Sequence, residues 1–211
     1  ISGGHWDLAL EIIKPGDFVL IQWGHNDGGI NLPGAAPIPD AGLAPGATPP
    51  TLPPGVPARG PNVGGSLPGI GEETLDATNP RTGKVETVHT YGWYLRKYIT
   101  DTRTKKATPI LLTVTIRNIW ANDADGNLRI ERDMGYRDYE YQIGAADTVP
   151  VIDMATVEAD RLEALGPEKT ALLFPIDHTH TSPEGAEGTA ESVVIALKNA
   201  NSPLAAYLKL D

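Results

Sequence analysis

Apolar residues along this chain fall into two recurring patterns, short unbroken runs and runs with helical spacing. The unbroken runs are rich in branched and aromatic side chains and predict buried strands at 17–23, 109–116 and 149–154. Helical spacing predicts helices at about 91–106, 136–146, 156–165 and 184–199. Because strands and helices alternate, we expect a parallel sheet covered by helices on both faces.

The chain opens and closes with further helix signals. Pro15-Gly16 ends an early helix, one face of which consists of Leu8, Ile12 and Ile13. The last helix has Thr181 or Ser182 as its N-cap and a proline in its first turn. Its predicted buried stripe consists of Ala186, Ala190, Val193, Val194 and Leu197.

A long insertion interrupts this alternation at about 30–73, where most of the prolines and many of the glycines lie. We interpret it as a mobile rim of a cleft rather than a linker, because it directly follows a predicted strand. A hairpin is predicted around 79–84. The 211 residues are therefore expected to form a single domain, 1–211.

Composition excludes several classes of function. The formal net charge of −10 argues against a nucleic-acid partner, because binding a polyanion needs basic patches. The absence of cysteine excludes disulfides and thiolate metal sites. No apolar run is long enough to span a membrane.

One loop ahead of the last helix holds an acid and an imidazole three residues apart, Asp177 and His180. Prolines at both ends of this loop favour the tight turn that would bring the two side chains together. In such a pair the carboxylate fixes one nitrogen of a neutral imidazole, and the other nitrogen faces a nucleophile. Loop aspartates also satisfy turns and cap helices, so a structural role for Asp177 is the alternative.

Polar residues also follow two of the predicted strands, Asn26 after the first and Arg117-Asn118 after the second. Sites in parallel sheets form at the carboxyl ends of strands, so we expect these residues and the Asp177–His180 loop at one edge. At that edge the Asn26 amide would donate a hydrogen bond to a developing oxyanion. His180 would take a proton from a hydroxyl and return it to the leaving group.

Metal binding is a rival interpretation of the same loop, because Asp177, His178 and His180 crowd together as ligands do. No second cluster supplies further ligands with suitable spacing, and His178 otherwise has a structural role or lines the site. Residues 122–127 resemble part of a calcium loop, but the glycine is misplaced and a turn is expected.

No serine of the chain makes a convincing nucleophile. Ser66 only resembles a nucleophile elbow, because Pro68 replaces the second glycine and no strand precedes it. Ser182 is a candidate helix cap, and Ser192 lies within a predicted helix. The remaining serines are Ser2 and Ser202.

At two motifs the chain resembles the SGNH (GDSL) hydrolases. Gly24-His25-Asn26-Asp27 is similar to their third conserved block, and residues 177–183 to their fifth, in which Asp and His are three apart. Longer strings resemble the rhamnogalacturonan acetylesterase branch of that family, at 4–7, 24–28, 88–96, 117–120 and 174–186.

The resemblance implies a three-layer α/β/α sandwich with a parallel, flavodoxin-like sheet. It implies catalytic roles for Asp177 and His180 and an oxyanion-hole role for Asn26. Substrate contacts are expected from other residues of the same motifs, namely His25, Asp27, Arg117, Asn118, Trp120 and His178. The implied reaction removes acetyl groups from pectic polysaccharide through a serine acyl-enzyme, without a cofactor. A polymeric substrate implies a secreted or periplasmic protein.

The chain departs from the family at its start, where the first block, with its Gly-Asp-Ser, and the second block are absent. We expect an N-terminal truncation that removes the nucleophile and at least one central strand. Loss of a central strand would expose the apolar faces of its neighbours. The 211 residues alone are therefore expected to be inactive and poorly stable.

Two alternatives from other classes stay open. A carbohydrate-binding relative without a nucleophile would use Trp23, Trp93, Trp120 and the tyrosines to stack on sugars, although core packing is the commoner role of such residues. A metal-dependent hydrolase would lose its activity to a chelator, whereas the esterase would respond to a serine-directed reagent.

Overall fold

The structure is a computed structural model and describes residues 4–25, 65–79, 83–132 and 135–208. The strands are β1 (Phe18–Ile21), β2 (Thr74–Thr78), β3 (Val85–His89), β4 (Thr108–Leu112), β5 (Trp120–Asn122), β6 (Leu128–Ile130) and β7 (Val151–Ile152). The α-helices are α1 (His5–Ile12), α2 (Tyr91–Thr104), α3 (Arg137–Asp147), α4 (Met154–Leu165), α5 (Pro167–Leu172) and α6 (Pro183–Asn199), followed by a 3₁₀ helix (Pro203–Tyr207).

A parallel sheet with the strand order β1-β4-β7 forms the centre of the fold. β4 is the middle strand: Leu20 of β1 lies opposite Ile110, and Val151 of β7 lies opposite Leu111. Helices separate these strands along the chain, as parallel pairing requires. The predicted parallel sheet is therefore confirmed.

Alternate residues of β4 point into two different cores. On one face Leu111 packs with Tyr91, Leu95 and Ile99 of α2 and with α3. On the other face, Ile110 and Leu112 pack with the start of α4 and with the Ala196 region of α6. Helices on both faces of one sheet make a three-layer α/β/α sandwich, as predicted.

The predicted burial of β1 is only partly correct, because Ile21 is buried while Leu20 is 44% exposed. β1 is also shorter than the predicted run 17–23. In the described part of the chain β1 pairs with β4 alone, so one of its edges carries no neighbouring strand. A strand at the edge of a sheet loses the lateral cover that the central β4 receives.

Two predicted helix faces are wrong. On α1, Leu8 and Ile12 are 61% and 74% exposed, and the half-buried Trp6 packs into the core instead. On α6 the buried residues are Gly185, Ser192, Ala196 and Leu197, so of the predicted stripe only Leu197 is fully buried. The buried face includes Ser192, which the apolar pattern left out, because its hydroxyl is satisfied by the Gly188 carbonyl and by Arg161 of α4.

The region after α4 contains a helix that the sequence pattern did not predict. Gly166 ends α4 as expected, but it also serves as the N-cap of α5, with Pro167 in the first turn. Proline is favoured at that position because its missing N–H would have no intrahelical partner. The buried Phe174 follows α5 and packs against Ala155, Ala159 and Leu162 of α4.

Two antiparallel hairpins lie outside the central sheet. β2 and β3 pair across the turn predicted at 79–84, and β5 and β6 pair across the turn predicted at 122–127. Only the end of the predicted 30–73 loop is described, and it bonds the start of α2, where the Tyr91 N–H donates to the Leu67 carbonyl. None of the helices in the four described ranges carries an apolar stretch of membrane-spanning length.

Candidate active site

Asp177 and His180 are in direct contact. Asp177 Oδ2 lies 2.7 Å from His180 Nδ1. Asp177 Oδ1 accepts the backbone N–H groups of Thr179 and His180, each at 2.7 Å. One carboxylate therefore both shapes the turn and holds the imidazole, so the structural and the catalytic interpretations of Asp177 describe the same geometry.

The loop that carries this pair is closed at its base. The Ser182 N–H donates to the Leu173 carbonyl at 2.8 Å, which fixes the two ends of the loop together. Ser182 is also the N-cap of α6, since its hydroxyl accepts the Gly185 N–H. Capping starts α6 immediately after His180 and so gives the acid–base pair a rigid support.

Hydrogen bonding keeps Asp177 ionised. Partial burial opposes ionisation, but the bonds from the His180 N–H, the His180 ring and the Thr179 N–H hold the pKa of Asp177 at about 2. His180 presents half of its side chain to solvent. With a proton on Nδ1 directed to Asp177, the neutral ring carries its lone pair on Nε2, the atom that a general base needs.

His25 lies just past β1, and its ring bonds the loop after β4. His25 Nε2 lies 2.7 Å from the Thr115 carbonyl, so the neutral ring carries its proton there. Burial, and next the positive charge of Arg117, lower the pKa of His25 to about 4, with a smaller contribution from His178. Asn26 and Asp27 lie outside the described residues, and their roles stay predictions.

Arg117 and Asn118 connect three loops at the carboxyl edge of the sheet. Arg117 Nη2 donates to the His25 carbonyl at 2.9 Å. The Asn118 N–H donates to the His178 carbonyl, inside the acid–base loop, at 2.8 Å. The Asn118 side-chain oxygen accepts from the Trp120 indole at 2.9 Å. The structure thus brings His25, the 117–118 segment and His178 together at one edge.

Glu158 belongs to the same assembly, although the sequence analysis did not identify it. This carboxylate on α4 is 3% exposed, accepts the Ile116 N–H at 2.8 Å, and accepts the Thr189 hydroxyl of α6. Burial raises the pKa of Glu158, against the opposing effect of these bonds. Its position four residues from both Met154 and Leu162 places it on the buried face of α4, a signal that the sequence contains.

Gly24 allows the loop after β1 to approach the rest of the edge closely. A Cβ atom at this position would lie 2.6 Å from Val114 Cγ1 and 3.0 Å from the Tyr136 ring. On the other side, the Tyr91 hydroxyl lies 2.8 Å from the Trp23 carbonyl and 3.0 Å from buried Glu140. Side chains that pack against Gly24 on one side, and a hydrogen bond to the Trp23 carbonyl on the other, therefore limit the direction in which the chain leaves β1.

Three of the described serines have structural hydrogen bonds. Ser182 and Ser202 accept backbone N–H groups at helix starts, and the Ser192 hydroxyl bonds within α6. The helix positions predicted for Ser182 and Ser192 are confirmed. Within the described ranges, no three His, Asp or Glu side chains come together as a metal ion would require.

The chain is similar to two curated carbohydrate esterases, and no protein-family model matches it. It is 26% identical over 194 residues to a rhamnogalacturonan acetylesterase of Emericella nidulans, across 92% of this chain and 66% of that protein. It is 24% identical over 212 residues to a probable rhamnogalacturonan acetylesterase, YesY, of Bacillus subtilis, across 97% of this chain and 72% of that protein. The chain therefore spans about two thirds of the length of these relatives.

Among solved structures, the protein YxiM of Bacillus subtilis has a similar fold. The TM-score is 0.58 at 20% identity, and the alignment covers 96% of this chain and 44% of that one. This likeness concerns the fold, which is the α/β sandwich described above. The fold and the two curated relatives support the resemblance of this chain to the SGNH (GDSL) hydrolases, and within them to the rhamnogalacturonan acetylesterases.

Proposed function

We propose that this chain forms the acid–base and oxyanion part of a carbohydrate esterase that removes acetyl groups from rhamnogalacturonan. The observation that carries the proposal is the contact between Asp177 and His180, in a chain whose curated relatives are named rhamnogalacturonan acetylesterases. The nucleophile of the proposal is a serine from a segment that precedes Ile1 in the parent protein.

His180 acts twice in the proposed reaction. Nε2 takes the proton of the serine hydroxyl while the serine oxygen attacks the acetyl carbonyl carbon, and Asp177 stabilises the imidazolium. The Asn26 amide donates to the resulting oxyanion. As the ester bond breaks, the sugar oxygen receives the proton from His180. Water then attacks the acetyl-serine by the same proton transfers, and acetate leaves.

Binding of the sugar chain is assigned in this proposal to the residues around the pair. His178 lies in the acid–base loop, Asn118 bonds that loop and Trp120 bonds Asn118. His25 lies just past β1. Asp27 is assigned to the substrate by its motif alone. Arg117 donates to the His25 carbonyl. A polymeric pectic substrate does not enter a cytoplasm, so the proposal includes action outside the cell or in a periplasm.

The test compares the 211-residue chain with the parent protein that includes the upstream segment. Acetate release is measured from acetylated rhamnogalacturonan, with acetylated xylan as the substrate control. The parent protein is expected to release acetate, to be inhibited by a serine-directed reagent and to be insensitive to chelator. His180→Ala should lower its kcat by about a thousandfold or more.

The bare chain is expected to release no acetate above background. Acetate release by the bare chain that is lost in His180→Ala would contradict the upstream serine. Loss of activity to chelator alone would favour a metal-dependent hydrolase that uses Asp177, His178 and His180. Sugar binding without any acetate release, by the parent protein also, would favour a carbohydrate-binding relative.

A further inference from the structure

We infer that Arg117 is a positioning residue that fixes the start of the loop after β1, at His25, relative to the loop carrying Asp177 and His180. The inference rests on the proposed function and adds to it a residue that acts through others. It also changes the expectation for Arg117, whose motif predicts a substrate contact.

The first step is the position of Arg117 in the fold. It follows β4, the middle strand, so it lies between the loop after β1 and the loop before α6. Arg117 Nη2 reaches sideways to the carbonyl of His25, the residue immediately before Asn26. The next residue, Asn118, bonds the His178 carbonyl through its backbone N–H. Two adjacent residues thus bind one loop each.

The second step is that the segment itself is anchored on both sides of Arg117. Ile116 donates its N–H to the buried carboxylate of Glu158, which also accepts the Thr189 hydroxyl of α6. On the other side, Asn118 accepts from the Trp120 indole. Because its neighbours are held by a helix and a hairpin, the guanidinium extends from a rigid base, as a positioning group requires.

The third step concerns the charge of Arg117. A bond from a guanidinium to a carbonyl is stronger than a neutral one, and the planar group limits the directions it takes. Burial is the main reason why His25 is neutral, and the charge of Arg117 is the next. The Nε2–H of the neutral ring donates to the Thr115 carbonyl. Arg117 therefore holds His25 through its backbone oxygen and supports a second bond made by its ring.

The test uses Arg117→Met, which removes the bond and the charge, and Arg117→Lys, which keeps the charge but not the planar donor. Arg129→Met is the matched control, because Arg129 lies on β6, is exposed and bonds Asp123 and Glu163 away from the site. Urea unfolding identifies the variants that remain folded.

The first measurement is an NMR pH titration of the histidine rings in the 211-residue chain, which needs no activity. The groups that act on the His25 ring are Arg117, His178 and the Thr115 carbonyl. In the wild type His25 should titrate near pH 4. Arg117→Met should raise its pKa towards 6.5 and shift the amide signals of residues 177–180. Arg129→Met should change neither. A folded Arg117→Met with unchanged amide signals in residues 24–25 and 177–180 overturns the inference.

The second measurement is the kinetics of the parent protein. A displaced loop after β1 should lower kcat by about tenfold to a hundredfold in both Arg117 variants, with KM within about twofold of the wild type. A raised KM at unchanged kcat would instead make Arg117 a substrate contact and overturn the inference.

A failure of the proposed function can be distinguished from a failure of the inference about Arg117. If the proposed function fails and no protein releases acetate, the NMR amide signals still decide the role of Arg117. If Arg117→Met does not fold, Arg117→Lys decides alone. Shifted amide signals in residues 24–25 and 177–180 together support the inference, and shifts confined to residues 115–119 overturn it.

Discussion

At the scale of single residues, the acid–base pair is a local structure. Asp177 and His180 lie three residues apart, and all three bonds accepted by the carboxylate come from the same loop. The sequence predicted this contact because a three-residue spacing in a tight turn leaves few other arrangements. His25 is different: its partner Thr115 is 90 residues away, and its ring bond was not predicted.

Asp177→Asn should remove activity without unfolding the loop. The amide oxygen can still accept the backbone N–H groups of the turn, but the amide NH₂ would face His180 Nδ1 and favour the wrong tautomer. We expect kcat of the parent protein to fall by about a thousandfold or more, with a small change in stability. The measurement is acetate release together with urea unfolding. Retention of more than about a tenth of kcat would contradict a catalytic role for Asp177.

His25 should make the folded protein sensitive to mild acid. Its pKa is about 4 in the folded chain and 6.5 ordinarily, so between these values the unfolded state binds a proton that the folded state does not. The free energy of unfolding should therefore be insensitive to His25 above pH 6.5 and should decrease as the pH falls from 6.5 to 4. Urea unfolding of the wild type and His25→Gln at several pH values is the measurement. The variant should lack this part of the decrease, and equal slopes would contradict the assignment.

At the scale of elements, the pattern of apolar residues predicted whether a segment is a helix or a strand better than it predicted which face of a helix is buried. The long helix at 91–104 was predicted because its helical spacing is strong, and the strand at 108–112 because it is an unbroken apolar run. The buried face of α6 was not predicted, because it includes a serine, whose hydroxyl accepts from an arginine of α4. α5 was missed because Gly166-Pro167 is a stop signal for one helix and a start signal for the next.

In the candidate site, the sequence likewise predicted which loops lie together but not the hydrogen bonds between them. Strand ends predicted that the loops of β1 and β4 meet at one edge, and His25 and Arg117 do so. The bonds between the loops were not predictable, because most of their acceptors are backbone carbonyls, which every residue carries. Glu158 is the exception, since an acid on the apolar face of a helix is visible in the sequence.

Ser182 should matter more than other helix caps. Its hydroxyl starts α6 directly behind the acid–base loop, so Ser182→Ala should cost about 1 kcal/mol and should also disturb His180. Ser202→Ala, at the start of the 3₁₀ helix, is the matched control. Unfolding free energies and the NMR signals of the His180 ring are measured for both. A His180 spectrum that is unchanged in Ser182→Ala would contradict the coupling of cap and loop.

At the scale of the whole molecule, the central sheet is covered unevenly. Leu20 and Ile110 are register partners on neighbouring strands and point to the same face, yet Leu20 is 44% exposed and Ile110 is fully buried. The difference arises because β4 has a strand on each side, whereas β1 has one neighbour in the described ranges. That the 211 residues alone are poorly stable stays a prediction, which the next comparison helps to test.

The loss of unfolding free energy on truncating Leu20 or Ile110 to alanine should measure how differently the two strands are covered. Leu20→Ala should cost less than about 1 kcal/mol, since much of its surface is already in water. Ile110→Ala should cost about 2–5 kcal/mol, because it leaves a cavity in the core. Urea unfolding of the 211-residue chain gives both values. Equal costs would mean that Leu20 is covered in solution.

The local character of the Asp177–His180 contact has a consequence for the order of folding. Closing a three-residue loop costs little chain entropy, so the pair can form as soon as its own turn and the start of α6 exist. The bonds of His25 to Thr115 and of Arg117 to His25 join residues 90 and 92 positions apart and require the assembled sheet. During folding the Asp177–His180 contact can therefore form first, and the bonds that join the loops at the carboxyl edge come last.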